Sequence, residues 1–304
     1  MKIKNLLSVI FAVAMGVSTY AQSNLLNSKT PDEIGKKSAA QLISENDKPL
    51  PYGYVHDRDV LMGKTIWEFI DLDERINFPL YFPIDTAFVG KERRSLFDVL
   101  VKNIKNGKIT EVYQDDYFNT KKTFKDMESS FTYIDTTDAG KDEINNYYDD
   151  YKSGAKVLDI QFVNKKELDA SYISGYKIKG YWYFDKRQGE LKYRLLALCP
   201  VTPEARDAGN DNADVVDLFW VYFPAVRDIL HESRAFNDKN SAMPITFDHL
   251  LNSRRFSGEI YKEENIYGDR KIEQYMKDNS QNQLLESERV KEKIRSFESD
   301  MWNY

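Results

Sequence analysis

The chain has few of the side chains that carry reactive chemistry. Its 304 residues contain one cysteine, Cys199, and three histidines, His56, His231 and His249. A single thiol cannot form an internal disulfide, so the fold is predicted to depend on its own core or on partners. Cys199 lies in an apolar run with no histidine near it in sequence, which favours a small buried hydrophobe over a nucleophile.

The familiar catalytic and metal-binding motifs are also absent. No histidine has a second one three or four residues away, as a zinc-binding pair on a helix requires. The sequence has no Gly-x-Ser-x-Gly elbow, phosphate loop or dinucleotide fingerprint. The acidic segment Asp207–Asp214 misses the spacing of a calcium loop and is interpreted as a solvated loop. We therefore predict no catalytic residue, no cofactor and no metal.

The charge and the hydropathy pattern exclude two further classes of partner. A net charge of −6 at pH 7 gives no general attraction to nucleic acid or to anionic lipid. Beyond the first twenty or so residues there is no long apolar run, so no segment is predicted to span a membrane.

The N-terminus has the pattern of a secretory signal peptide over residues 1–21. Lys2 and Lys4 precede the apolar run Leu6–Val17, and the small residues Thr19 and Ala21 precede a plausible cleavage site. A buried N-terminal helix is the alternative interpretation. No cysteine follows the cleavage site, so no lipid anchor is expected there. The predicted product is free in the periplasm or outside the cell, and we favour the periplasm.

The remaining chain divides into three predicted parts. Residues 22–55 are polar and proline-containing and form an extended arm, which either packs against a neighbouring subunit or is a loose leader. Residues 56–276 form the core domain. Residues 277–304 form a helical tail, because Val290, Ile294, Phe297 and Met301 recur at helical spacing.

The order of periodic segments predicts an α+β fold, with a mostly antiparallel, hairpin-containing sheet and flanking helices concentrated toward the C-terminus. The clearest features are a hairpin that turns at Asp185–Glu190 and a helix over Leu96–Ile104 that Ser95 caps and Gly107 ends. Asn77–Pro83 is expected to be extended or to form a sheet edge, because it contains two prolines. The other predicted strands are 65–72, with a short helix as the alternative there, and 129–134, 157–163, 172–184, 191–198, 215–222 and 260–267. The other predicted helices are 224–230, 246–256, 272–276 and 284–301.

The aromatic content is the remaining anomaly. Twenty tyrosines, seventeen phenylalanines and four tryptophans make 13% of the chain. Such residues favour interfaces, carbohydrate-binding surfaces or an aromatic-rich sheet. The candidate interaction residues are Trp67, Phe69, Tyr81, Trp182, Trp220 and Tyr222. For the three tryptophans a place in the core is the preferred alternative.

Four blocks of sequence resemble one family. Ile66–Leu72 with Asn77–Pro83 is similar to the opening signature of the gliding motility family GldN, called PorN in non-gliding relatives. The hairpin residues Trp182–Asp185 and Arg194–Pro200 resemble its central block. Two later blocks, Phe219–Pro224 with Arg227 and Phe256–Asn265, extend the resemblance over about residues 52 to 276.

The resemblance implies a non-enzymatic, periplasmic structural subunit of the type IX secretion and gliding machinery. By that resemblance, it would bind an outer-membrane lipoprotein of the GldK or PorK type and associate with itself in a ring at the inner face of the outer membrane. Other gliding and secretion subunits of the GldL and GldM type would be further partners. The alternative function is a periplasmic glycan-binding module or hydrolase.

Overall fold

A computed structural model describes Thr30 and residues 48–90, 93–123, 126–127, 132–154, 156–167, 169–203, 215–237, 245–277 and 279–302. The predicted signal peptide, most of the predicted arm and the whole of the acidic segment Asp207–Asp214 lie outside these residues.

The described residues form ten strands and eight α-helices. The strands are β1 Val60–Asp71, β2 Thr132–Thr136, β3 Val163–Glu167, β4 Gly175–Asp185, β5 Glu190–Pro203, β6 Val215–Asp217, β7 Val221–Tyr222, β8 Arg234–Ala235, β9 Ile245–Thr246 and β10 Glu259–Glu263. The helices are α1 Phe78–Tyr81, α2 Leu96–Lys105, α3 Asp138–Asn146, α4 Tyr148–Ser153, α5 Phe223–Glu232, α6 Phe247–Asn252, α7 Ile272–Tyr275 and α8 Ser280–Trp302. The predicted α+β class is confirmed.

One antiparallel sheet organises the molecule. Its strand order is β10-β1-β4-β5-β6, and β7 pairs with β5 beside β6. The predicted hairpin is β4–β5, whose turn contains Gly189 at φ +66°. Glycine suits that position because its lack of a Cβ removes the cost of a left-handed backbone.

The alternation of β1 sends its side chains to two differently covered faces. Ile70 belongs to a large core that contains buried residues of α2, α5 and α6. Ile66 packs with Val290 and Ile294 of α8. Trp67 points to the opposite face, where it meets Trp220. The sheet is therefore buried on both sides. The face that carries Trp67 and Trp220 accounts for part of the high aromatic content of the chain.

The helix starts follow the predicted capping. The Ser95 hydroxyl accepts a hydrogen bond from the Asp98 amide, and Thr246 does the same for His249. Pro224 lies in the first turn of α5, where a missing N–H costs nothing. Helix α6 ends at Asn252, earlier than the predicted Phe256, and Arg254 follows with φ +51°.

The extended conformation predicted for Asn77–Pro83 is wrong. The segment starts with a 3-10 turn over Arg75–Asn77 and continues as α1. Pro79 lies in the first turn of that helix, where no N–H is needed, so this proline favours the helix start. Phe82, directly before Pro83, is extended.

Two predictions in the middle of the chain also need correction. Residues 138–153, for which no helix or strand was predicted, contain α3 and α4; Thr137 caps α3 by accepting from the Gly140 amide. The strand predicted over Val157–Val163 is instead a 3-10 turn over Ile160–Phe162, and β3 begins only at Val163. Its partner β2 ends opposite Val163, so the preceding β-branched residues have no strand to pair with.

The strand predicted over residues 215–222 is interrupted. β6 and β7 are separated by Leu218–Trp220, because Trp220 forms its backbone hydrogen bonds with Tyr113 rather than with β5. The Trp220 amide donates to the Tyr113 carbonyl, and the Tyr113 amide donates to the Trp220 carbonyl, both at 2.8 Å. A segment distant in sequence therefore takes the place of the expected neighbour.

Candidate interaction surfaces

Two of the predicted interaction residues lie in the chain's own interior. Trp67 of β1 and Trp220 are both buried, and they share a cluster with Ala197 and Cys199 of β5. Half-buried Tyr113 and Phe118 pack against this cluster, together with Tyr261. We call these seven residues the tryptophan cluster.

A network of polar contacts around Asp116 holds the loop 113–123 on the tryptophan cluster. The Trp67 indole N–H donates to the Asp116 carboxylate at 2.6 Å, and Lys262 Nζ donates to the same oxygen at 3.3 Å. Lys179 Nζ donates to the Asp116 carbonyl at 2.9 Å and lies 4.2 Å from the centre of the Tyr117 ring. Burial lowers the pKa of Lys179, while the Asp116 carboxylate opposes that shift. This network combines charge-assisted hydrogen bonds with cation–π contacts.

Phe69 and Tyr222 lie at the edges of the same face. The half-buried Phe69 ring covers Gly175 on the neighbouring strand, and a Cβ at that glycine would come within 2.4 Å of the ring. Tyr222 is exposed, and its ring meets that of Phe118 edge to face at 5.4 Å. Of the predicted aromatic residues, Trp67, Trp220, Phe69 and Tyr222 thus come to one side of the sheet.

Trp182 lies on the other side, in a cleft between the sheet and α8. The cleft encloses about 330 Å³, and Ile66, Ile260 and Ile294 form part of its wall. The guanidinium of Arg254 lies 5.1 Å from the centre of the Trp182 ring and donates to both carboxylate oxygens of Glu68.

Tyr81 belongs to a third, separate surface. Its hydroxyl donates to the Ser171 carbonyl at 3.2 Å, and its ring contacts that of Phe82 at 4.9 Å. Burial raises the pKa of Tyr81, and the carboxylates of Asp73 and Asp169 raise it further. The Phe82 ring also meets the Phe78 ring at 5.2 Å, and Ile76, two residues before Phe78, is exposed as well. We call Ile76, Phe78, Tyr81 and Phe82 the α1 patch.

The base of the predicted arm is clamped to the core. The Tyr52 ring lies 4.1 Å from the guanidinium of Arg227 and 4.7 Å from that of Arg194. Arg227 also pairs with buried Asp248 and donates to the Leu50 carbonyl at 2.8 Å. The chain that precedes residue 50 therefore starts from a fixed point on the domain.

The described residues assemble no evident catalytic or metal-binding set. Cys199 is buried, and burial raises the pKa of its thiol well above its usual value, so the thiolate nucleophile is disfavoured. Within the described ranges, no group of three or more histidine, cysteine or acidic side chains is arranged to hold a metal ion. In the same ranges, no helix is both long and apolar enough to cross a bilayer.

Sequence reasoning missed two exposed aromatic residues that adjoin Tyr81. Phe78 and Phe82 were placed in an extended segment, where their neighbours could not be inferred, although both lie in the aromatic run Phe78–Phe82 beside Tyr81. Arg254 was not singled out, because its partner Glu68 is 186 residues away in sequence.

Fold and surfaces together define an α+β domain with a doubly covered antiparallel sheet and preformed aromatic surfaces. The family described as "Gliding motility associated protein GldN" matches residues 55–303. The chain belongs to that family and is a GldN/PorN-type protein of the gliding motility and type IX secretion machinery. The family is a structural component of that machinery and not a known family of enzymes. No curated protein matches the chain.

Proposed function

We propose that this protein is a non-enzymatic structural subunit of the type IX secretion and gliding machinery, exported to the periplasm and assembled into a ring. Its partner at the inner face of the outer membrane is a lipoprotein of the GldK or PorK type, and further contacts are made with subunits of the GldL and GldM type. The observation that carries this proposal is the family match over residues 55–303.

Two structural features support assembly as the role. The first is the set of exposed aromatic side chains on a rigid domain, since large aromatic groups dominate binding energy at protein interfaces. The second is the clamp at Tyr52, which gives the preceding residues a fixed origin. The arm of residues 22–55 is proposed to reach from there onto a neighbouring copy.

Co-expression with the GldK-type lipoprotein of the same genome tests this function. Membrane extracts of cells that make both proteins are separated by size, and both proteins are detected in the fractions. The expected result is that the two proteins elute together in a large complex. Without the lipoprotein, this protein should not elute in a large complex. Elution of the two proteins apart, at the size of single chains, contradicts the proposed function.

A deletion separates the arm from the domain. Removal of residues 24–47 leaves the Tyr52 clamp in place, so the thermal unfolding midpoint should stay near that of the full chain while the large complex weakens. Tyr52→Leu is the matched variant, because it loosens the clamp without shortening the chain. A full-size complex formed by the deletion variant would remove the arm from the proposal.

A further inference from the structure

The α1 patch has exposed apolar side chains although α1 itself is anchored in the core. Leu80 is fully buried and anchors α1 in the core, whereas Ile76, Phe78 and Phe82 are 56%, 37% and 42% exposed. The Phe78 and Phe82 rings meet edge to face at 5.2 Å. Contiguous exposed apolar side chains are common at protein interaction sites.

The patch is held rigidly from below. Asn77 is fully buried, and its side-chain amide donates to the carbonyls of Asp71 at 2.6 Å and Ser257 at 3.0 Å. Its side-chain oxygen accepts from the Ser257 amide at 2.9 Å. A surface fixed in this way loses little conformational entropy when a partner binds.

The rim of the patch is acidic. Asp73 and Asp169 lie near the patch in space, and Glu74 and Asp85 flank it in sequence. Asp73 and Asp169 lie close enough to Tyr81 to act on its hydroxyl. In the described part of the chain, none of the four lies within ion-pair distance of a lysine or arginine, and Arg75 is the cation that adjoins them in sequence. A partner with lysine or arginine beside its apolar anchor would complement these carboxylates.

We propose that the α1 patch is the docking site for a segment of a different protein in which apolar side chains are flanked by lysine or arginine. The aromatic residues fix the apolar anchor, and the acidic rim selects the basic flanks. A second copy of this chain is a poorer occupant, because its net charge of −6 adds repulsion to an acidic rim. The inference rests on the proposed function in assuming a partner protein, and it adds the site and the chemistry of that partner.

Photo-cross-linking in intact cells tests the site. The photoreactive residue benzoylphenylalanine replaces Phe78 in the full chain, and the cross-linked peptide is sequenced by mass spectrometry. The expected product joins residue 78 to an apolar segment of another protein with a net positive charge. A product with a second copy of this chain, a product with a net acidic segment, or no product would each overturn the inference.

Two further variants test whether the cross-link is specific to the α1 patch. Leu285 is also an exposed apolar residue, but it lies on α8, so benzoylphenylalanine at that position should not yield the same product. In the Phe78 background, Asp73→Lys with Asp85→Lys should lower the yield by about fivefold, because like charges then face the partner. The same product from position 285, or an unchanged yield after charge reversal, would contradict docking at the α1 patch.

The size of the complex in the same cells keeps the two proposals apart. A large complex without the expected cross-link refutes the docking site and leaves the structural role intact. The expected cross-link without a large complex supports the docking site and refutes the ring assembly.

Discussion

Replacing Arg254 by methionine should destabilise the fold strongly, because it leaves a buried carboxylate without its partner. Glu68 is only 1% exposed, and the Arg254 guanidinium donates to its two oxygens at 2.8 and 2.7 Å. The rings of Trp182, Tyr193 and Phe256 surround that guanidinium at 4.3 to 5.2 Å. Glu68 and Arg254 both line the cleft beside α8, and the Arg254 side chain is 25% exposed, so it is the burial of Glu68 itself that would leave its carboxylate poorly solvated.

The expected loss is large on the scale of single substitutions. Removing one member of a buried ion pair costs about 3–5 kcal/mol, since the other charge stays desolvated. For a domain of this size, each kcal/mol lowers the melting temperature by roughly 2–4 °C, so a fall of about 6–20 °C is expected. Methionine keeps a Cβ at the left-handed backbone of residue 254, so backbone strain is the same in both proteins and the difference reports the pair.

Urea unfolding followed by circular dichroism measures the loss, with Arg187→Met as the control because its side chain is exposed. The double variant Glu68→Leu with Arg254→Met removes both charges and should recover at least about 2 kcal/mol relative to Arg254→Met alone. The reasoning is refuted if Arg254→Met costs less than about 1 kcal/mol. It is equally refuted if the double variant is less stable than Arg254→Met.

Three further predictions concern the sheet and the loops around it. Gly175→Ala should cost about 1–3 kcal/mol in thermal unfolding, because its Cβ would lie 2.4 Å from a ring and 2.7 Å from a backbone carbonyl of β1, whereas Gly53→Ala, with open space around it, should be nearly neutral. Burial raises the pKa of Asp269, but the hydrogen bond from Tyr117 and nearby cations lower it overall. This carboxylate should therefore contribute stability above about pH 4 that is lost as the pH falls further. Asp269→Asn should reduce that acid dependence in urea titrations at pH 7 and pH 3, and an unchanged dependence would refute the assignment. Cys199 should react with a maleimide only after denaturation, and rapid labelling of the native protein would contradict its burial.

The elements that sequence predicted well are those specified by neighbouring residues. The β4–β5 hairpin combines alternating strands with a turn that contains Gly189, and α2 combines a helical apolar period with the Ser95 cap. Each signal lies within a few residues of the structure it determines. Local signals also gave the fold class, because a run of strands followed by helices restricts the layers that can form.

The elements that sequence missed depend on contacts between distant residues. Trp220 leaves the expected strand because Tyr113 supplies its hydrogen bonds. The helix α1 forms where two prolines suggested extended chain, and buried Asn77 ties its start to Ser257, 180 residues away. No periodicity in a single sequence encodes these partners, so the α1 patch could not be inferred before the fold was known.

The aromatic residues of this protein serve two physically separate purposes. Those of the tryptophan cluster pack inside the domain, where Asp116 and two lysines provide hydrogen-bond partners for polar groups that burial would otherwise leave unpaired. Substitution of Trp67 or Trp220 removes core packing, so a lost interaction in such a variant does not identify an interface. The α1 patch differs because its rings are exposed while Leu80 and Asn77 hold the backbone beneath them. Changes to Phe78 or Phe82 therefore act on binding with little cost to folding, which makes that patch the surface on which assembly and stability can be measured independently.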